Sequence, residues 1–287
     1  MAQQNCLFKY TLECRNDKKV ISVTGDSEYR NARCPVCNGS EFTLIKIEGG
    51  ELKYTKSNPY PFSHKVDTII KEVELNGDYY RVIQHSDNIR SLKINDIGYS
   101  FIYTDNTQKY EPVYLGIQKY IKSLNQKKPL KNICILGGGG GTLIRFIIKN
   151  IKSVKRLDSV EINPIINQFC REYFIGDLLR LKENQETIQL INADAFDFVR
   201  NLENLYDFIY VDLYYKDLIP FKAFQENFIA DLKECLCDGG VVAFNMAFSD
   251  KYEELLEIGK RFFSDYHVLK GHTDEEKYVV LSNRNSE

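Results

Sequence analysis

The sequence is short of several features, and each absence excludes a class. No run approaches the roughly 18 apolar residues that a membrane-spanning helix requires, so no membrane partner is expected. The opening stretch MAQQNCLFKYTLEC has no basic segment followed by a long apolar one, and so does not read as a secretory leader. The expected setting is cytoplasmic, with thiols reduced. There is no excess of either charge: 38 Lys and Arg stand against 40 Asp and Glu, a formal net of -2. That argues against general nucleic-acid binding. There is no internal repeat and no low-complexity tract. The four histidines are scattered, and the sequence indicates neither a histidine metal site nor a Cys-His nucleophile pair.

What is present divides into three textures. The 287 residues suit one large domain or two to three small ones. Residues 1–48 form a cysteine-rich module. Residues 49–115 read as a small β-rich domain, with DYYRVIQHS and SLKINDIGYSFIYT alternating apolar and polar residues as half-buried antiparallel strands do. Residues 116–287 alternate strand and helix. NICIL, RLDSVEI, TIQLINAD, YDFIYVDL and GGVVAFNM are strands. TLIRFIIKN, NPIINQFCREYF, AFDFVRNL and FKAFQENFIADLKECL are helices between them, the second capped by Asn163 with Pro164 at its first position. A helix near 251–263 and a closing hairpin, YHVLKG with KYVVLSN, complete the pattern. Such alternation predicts an α/β fold with a Rossmann-like, doubly wound sheet, whose ligands sit at the carboxyl ends of the strands.

The glycine run Gly137, Gly138, Gly139, Gly140 and Gly141 lies between the first of these strands and its helix, where a nucleotide-binding turn belongs. The dinucleotide pattern G-x-G-x-x-G fails, because Thr142 or Leu143 falls in the third place. A P-loop fails because no Lys-Ser/Thr follows. A purely structural turn is the bland alternative. Glu161 ends the second strand, where a carboxylate can accept both ribose hydroxyls. Asp194 follows the third strand, where a carboxylate can accept from an adenine amino group. Together these predict a pocket for adenosine without a diphosphate, the profile of S-adenosylmethionine or a relative.

On these motifs the sequence resembles the spermidine synthase family, from about residue 78 to 247. The family's GGGDGG loop corresponds to GGGGGT at 137–142. Its VEID corresponds to VEIN at 160–163, its GDA to Asn192-Ala193-Asp194-Ala195, and its YDVIIVD to YDFIYVD at 206–212. Tyr110 matches the tyrosine of its Tyr-His-Glu segment. The resemblance implies a class I S-adenosylmethionine transferase fold with a small β-rich N-terminal domain, a homodimer as the candidate assembly, and an amine acceptor. It assigns donor binding to the glycine run, Glu161, Asp194 and Tyr110, and catalysis to Asp212. Departures are equally definite. Gly140 replaces the loop aspartate, Tyr215 the second aspartate of the catalytic motif, Glu111-Pro112 the His-Glu pair, and Tyr99 the gate glutamine.

The loss of a carboxylate at 140 removes a charge that would repel the carboxylate of intact S-adenosylmethionine, and leaves backbone N–H groups that could bind it. The expectation is therefore transfer of a methyl or aminocarboxypropyl group from the intact donor. A true polyamine aminopropyltransferase using the decarboxylated donor is one alternative. A non-catalytic nucleoside-binding scaffold is another, and an NAD oxidoreductase a distant one. Asp212 would act as base or hold the amine, with an anchor for its own loop as the plainer role. Tyr214, Tyr215 and Asp217 would line the acceptor side, or serve only in packing. CPVC at Cys34–Cys37 resembles half of a zinc ribbon. With Cys6, Cys14 or Asp17 it could close a structural zinc site, and buried thiols around a turn are the alternative. Cys134, Cys170, Cys235 and Cys237 read as core.

Overall fold

The computed structural model describes residues 8–14, 20–25 and 42–48 as backbone strands, and residues 67–283 apart from 76, 86–87, 96, 106–113, 201, 203–205, 215–217, 248 and 272–275. The chain forms two compact units, Met1–Tyr60 and Pro61–Glu287. In the first, β1 (Phe8–Cys14) pairs antiparallel with both β2 (Val20–Gly25) and β3 (Phe42–Glu48).

The second unit opens with an antiparallel meander: β4 (Thr68–Leu75), β5 (Asp78–Gln84), β6 (Ile89–Ile94) and β7 (Ile97–Tyr103). Alternation sorts the faces of β5: Tyr80 and Val82 are buried while Tyr79 is exposed. The β6–β7 hairpin turns at Asn95, at φ 54°, a conformation that asparagine tolerates. Its side chain accepts from the Tyr79 amide at 2.9 Å and donates to Asp78 at 2.8 Å.

Helix α1 (Leu115–Lys127) leads into a seven-stranded sheet of β8 (Asn132–Leu136), β9 (Arg156–Glu161), β10 (Ile188–Asn192), β11 (Tyr206–Val211), β12 (Leu236–Asn245), β13 (Asp265–Lys270) and β14 (Lys277–Ser282). The spatial order is β10-β9-β8-β11-β12-β14-β13. The first five in that order run parallel, and the last two form the antiparallel hairpin. The chain reverses its direction of winding between β8 and β11, so the crevice at their carboxyl ends is the switch point.

Both faces of the sheet are apolar, as buried parallel strands require. On one face Ile133, Ile135, Phe208, Tyr210, Ala243, Tyr278 and Val280 pack with Ile117 and Ile121 of α1 and with α2 (Thr142–Asn150) and α3 (Pro164–Phe169). Tyr80, Val82 and Leu92 of the meander join the same core. On the other face Cys134, Leu136, Ile209, Val242 and Val279 pack under α5 (Ala195–Arg200), α6 (Glu226–Glu234) and α7 (Tyr252–Gly259). Each fully buried aliphatic side chain here stabilises the fold by roughly 1.5–3 kcal/mol. A short α4 (Lys182–Thr187) precedes β10.

Two expected helices are broken. FKAFQENFIADLKECL is a 3-10 turn over Phe221–Phe224, an extended Gln225, and then α6. The break buries Ala223, Phe224 and Phe228 together and leaves Phe221 exposed. NPIINQFCREYF starts as expected: Asn163 caps α3 by accepting from the Ile165 amide, with Pro164 following. It then widens into a π turn over Cys170–Phe174, closed by the Ile175 amide on the Cys170 carbonyl at 2.9 Å. Among the described residues no helix is long and apolar enough to cross a membrane.

Candidate active site

The glycine run crosses the carboxyl end of the sheet between β8 and α2. Its composition has a packing reason before it has a ligand reason. Gly137 sits at φ +89°, and a Cβ there would lie 2.1 Å from the Asp212 carbonyl oxygen. A Cβ on Gly140 would lie 2.6 Å from the Ser100 Cβ. The loop is thus pressed between the start of the loop after β11 and the meander, and only glycine fits at either place.

The loop amides are also spent. Gly137 and Gly138 both donate to the Val160 carbonyl, at 2.8 and 3.1 Å, and Gly141 donates to the Gly138 carbonyl at 3.0 Å. Gly139 donates to Glu161 Oε2 at 3.2 Å, and Gly140 to Ser100 Oγ at 3.1 Å. The expectation that Gly140 leaves backbone N–H groups for a donor carboxylate is therefore corrected: all five glycine amides bond within the protein. The buried Ser100, unremarked in the sequence, takes the amide of the very residue that replaces the family aspartate.

Glu161 ends β9 at the edge of the crevice, 9% exposed. Burial raises its carboxyl, the amides of Asn163 and Gly139 oppose that, and Asp212 adds to the rise. One oxygen accepts from Asn163 at 2.9 Å and the other from Gly139. Lone pairs remain on both oxygens for further hydrogen bonds. Asp194 lies half-buried past β10, and its Oδ1 accepts the Phe196 amide at 2.8 Å at the start of α5. Its second oxygen could accept a further hydrogen bond. Asn192, next to it on β10, donates to the Glu161 carbonyl at 2.8 Å and ties the two strand ends together.

Asp212 follows β11, and its amide donates to the Leu136 carbonyl at 2.8 Å, which fixes it beside the glycine run. Its carboxylate is held on both sides. Tyr114, just ahead of α1, donates to Oδ2 at 2.9 Å. Asn245, at the end of β12, donates from Nδ2 to Oδ1 at 2.8 Å, while its own Oδ1 accepts the Ala247 amide at 3.0 Å. Burial pushes the carboxyl up to about 6, against the two hydrogen bonds that lower it. A carboxylate tuned near neutrality can accept a proton from an amine and release it again. Tyr114 and Asn245 were missed in the sequence. Asn245 had a signal, as a polar residue ending an otherwise apolar strand. Tyr114 stands four residues beyond Tyr110, the tyrosine to which the family resemblance points.

Tyr214 packs beside Asp212, and its hydroxyl donates to the Ala247 carbonyl at 2.7 Å. That bond makes it a brace for the loop. Tyr99 donates to the Tyr214 carbonyl at 3.3 Å and links the meander to the same loop. Tyr110, Tyr215 and Asp217 lie outside the described residues, as do Cys6, Cys34 and Cys37, and Cys14 is described only as the end of β1. Among the described residues no group of three or more His, Cys, Asp or Glu could hold a metal. Cys134, Cys170 and Cys235 are buried free thiols, as expected, and Cys237 is half-buried.

Residues 121–259 match the spermine/spermidine synthase domain family. The polyamine aminopropyltransferase of Methanocaldococcus jannaschii is 26% identical over 181 residues, which cover 61% of this chain and 60% of that protein. This chain therefore spans less than two thirds of that relative's length. A probable spermidine synthase from Corynebacterium glutamicum superposes with a TM-score of 0.62 at 18% identity, covering 75% of this chain and 80% of that one. Human methyltransferase-like protein 13, solved with SAH, superposes with a TM-score of 0.50 at 18% identity, covering 61% of this chain and 83% of that one. The structural likenesses are likenesses of fold, that of the S-adenosylmethionine-dependent transferases. The likeness to the spermine/spermidine synthase family rests on this matched domain, residues 121–259.

Proposed function

We propose that the protein transfers the aminopropyl group of decarboxylated S-adenosylmethionine to an amine. The observation that carries this reading is the pairing of Asp212 with a glycine loop whose amides are all engaged. Without a free amide, the loop offers a donor carboxylate no partner, and a buried carboxylate without one is costly. The decarboxylated donor has no such group. Related proteins named polyamine aminopropyltransferases point the same way.

In this reading the adenosine lies across Glu161 and Asp194, and the sulfonium faces Asp212. An acceptor ammonium would dock on Asp212, pass it a proton, and present its lone pair in line with the S–C bond that breaks. The new N–C bond forms, the sulfur leaves with the S–C electron pair, and methylthioadenosine departs. Tyr114 and Asn245 hold the carboxylate still, which is where the gain from alignment arises.

A second reading, in which the intact donor is used, is favoured by Gly140, which places no carboxylate against the donor's tail. Titration calorimetry with each donor separates the two. The first reading expects the decarboxylated donor to bind at least tenfold more tightly. Tighter binding of the intact donor would replace it with methyl or aminocarboxypropyl transfer.

A further inference from the structure

Two buried polar groups, one on β11 and one on α1, have no role in the site so far. Tyr210 lies on β11, two residues before Asp212, which follows the strand, so both side chains face the same side of the sheet. Its hydroxyl is fully buried and has no hydrogen-bond partner among the described residues. Gln118 lies one helical turn beyond Tyr114 on α1, on the stripe that faces the sheet, and it packs among Ile117 and Ile121. It is 4% exposed, and its amide nitrogen also has no partner among the described residues. The Tyr210 ring meets the Tyr114 ring edge to face, with centroids 6.3 Å apart. Across the sheet it registers with Ala243, whose small side chain leaves the ring its space.

Phenylalanine would fill the Tyr210 site and leucine the Gln118 site without leaving polar atoms unpaired, so packing alone does not account for either residue. The surroundings suggest what does. Tyr114 and Asn245 take one lone pair from each oxygen of Asp212, and a carboxylate has about four acceptor positions. A buried water needs two to four polar partners. The phenol, the amide nitrogen and the remaining lone pairs of Asp212 would supply them.

We propose that Tyr210 and Gln118 are positioning residues for Asp212, their polar ends enclosing one water molecule that donates a hydrogen bond to its carboxylate. The water would set how readily Asp212 takes up a proton. The other titratable groups near the carboxylate are Glu161 on β9, Tyr114 ahead of α1, Tyr214 past β11 and Tyr278 on β14. The inference rests on the proposed role of Asp212 for its purpose. Its test needs neither donor nor acceptor, so the two can fail separately.

The test follows the Asp212 carboxyl by carbon NMR in protein labelled at aspartate, with the resonance identified by its loss in Asp212→Asn. Losing a donor to the charged form favours the protonated form. Tyr210→Phe should therefore strengthen proton binding at Asp212 by roughly tenfold or more, the effect of one hydrogen bond to a charged group. Gln118→Leu should act in the same direction. The double variant should do no more than the larger single one, because both residues hold the same water. An unmoved Asp212 titration in either single variant, or additive effects in the double, would overturn the proposal. Both substitutions preserve shape, so a thermal midpoint unchanged below about pH 4, where Asp212 is protonated, alongside the moved titration separates positioning from packing.

Discussion

Asp212→Asn should make the protein more stable at neutral pH while removing its activity. The Asp212 carboxyl is pushed from 3.8 to about 6 in the folded state, chiefly by burial. A carboxyl that binds its proton more tightly folded than unfolded favours folding only where it is protonated. Relative to a neutral side chain it costs nothing below about pH 4. The cost grows between about pH 4 and 6, and is complete above that. At 1.36 kcal/mol per pH unit it reaches about 3 kcal/mol as an upper bound. Asparagine has the same shape and no charge. Its oxygen can accept from Asn245, and its amide can donate to the Tyr114 hydroxyl, so both contacts survive. Denaturant melts at pH 8 should show the variant more stable by up to about 3 kcal/mol, with the gap closing by pH 4. Turnover on an amine should fall roughly 10²- to 10⁴-fold. If the variant is no more stable at pH 8, or the gap ignores pH, then Asp212 is an ordinary structural carboxylate and the proposed base is wrong.

Other consequences follow from the same contacts. Gly137→Ala would drive a methyl group into the Asp212 carbonyl at a positive φ, and should cost about 3 kcal/mol or more in a denaturant melt. Glu161→Gln should weaken binding of methylthioadenosine at least tenfold by calorimetry. Undiminished affinity would remove the ribose assignment. Gly140→Asp, which restores the family's carboxylate, should destabilise the protein through its collision with Ser100. Gly140→Asp combined with Ser100→Gly should recover much of that loss in a thermal melt, and equal losses in the two would show that Ser100 is not the obstacle. Cys6, Cys14, Cys34 and Cys37 predict one tightly held zinc per chain. Metal analysis of protein purified without chelator tests this, and metal-free protein would refute it.

The sheet was legible in the sequence because its signal is local. Strands such as NICIL and YDFIYVD are continuous apolar runs, and each is followed by a segment of helical period. Glu161, Asp194 and Asp212 were legible for a related reason: a carboxylate at the carboxyl end of a buried strand stands out against its neighbours. Partners that come from distant elements were not. Ser100 is one polar residue in a meander strand, and only folding brings it against Gly140, forty positions away. Tyr114 and Asn245 meet on Asp212 from an inter-element loop and a strand end, 98 and 33 positions distant. The glycine run also misled in part. Its richness suggested an open cradle of amides, whereas close packing accounts for Gly137 and Gly140 and internal bonds occupy every amide. Helix breaks at Gln225 and Cys170 escaped notice because propensity does not foresee which side chains the core will demand.

The most direct test of the account is product analysis. The purified protein would be incubated with a panel of primary amines and, in parallel, decarboxylated or intact S-adenosylmethionine, and the products read by mass spectrometry. The account predicts methylthioadenosine and an amine heavier by one aminopropyl group, formed only with the decarboxylated donor and lost in Asp212→Asn. S-adenosylhomocysteine with a methylated amine from the intact donor would contradict it, as would turnover that survives Asp212→Asn.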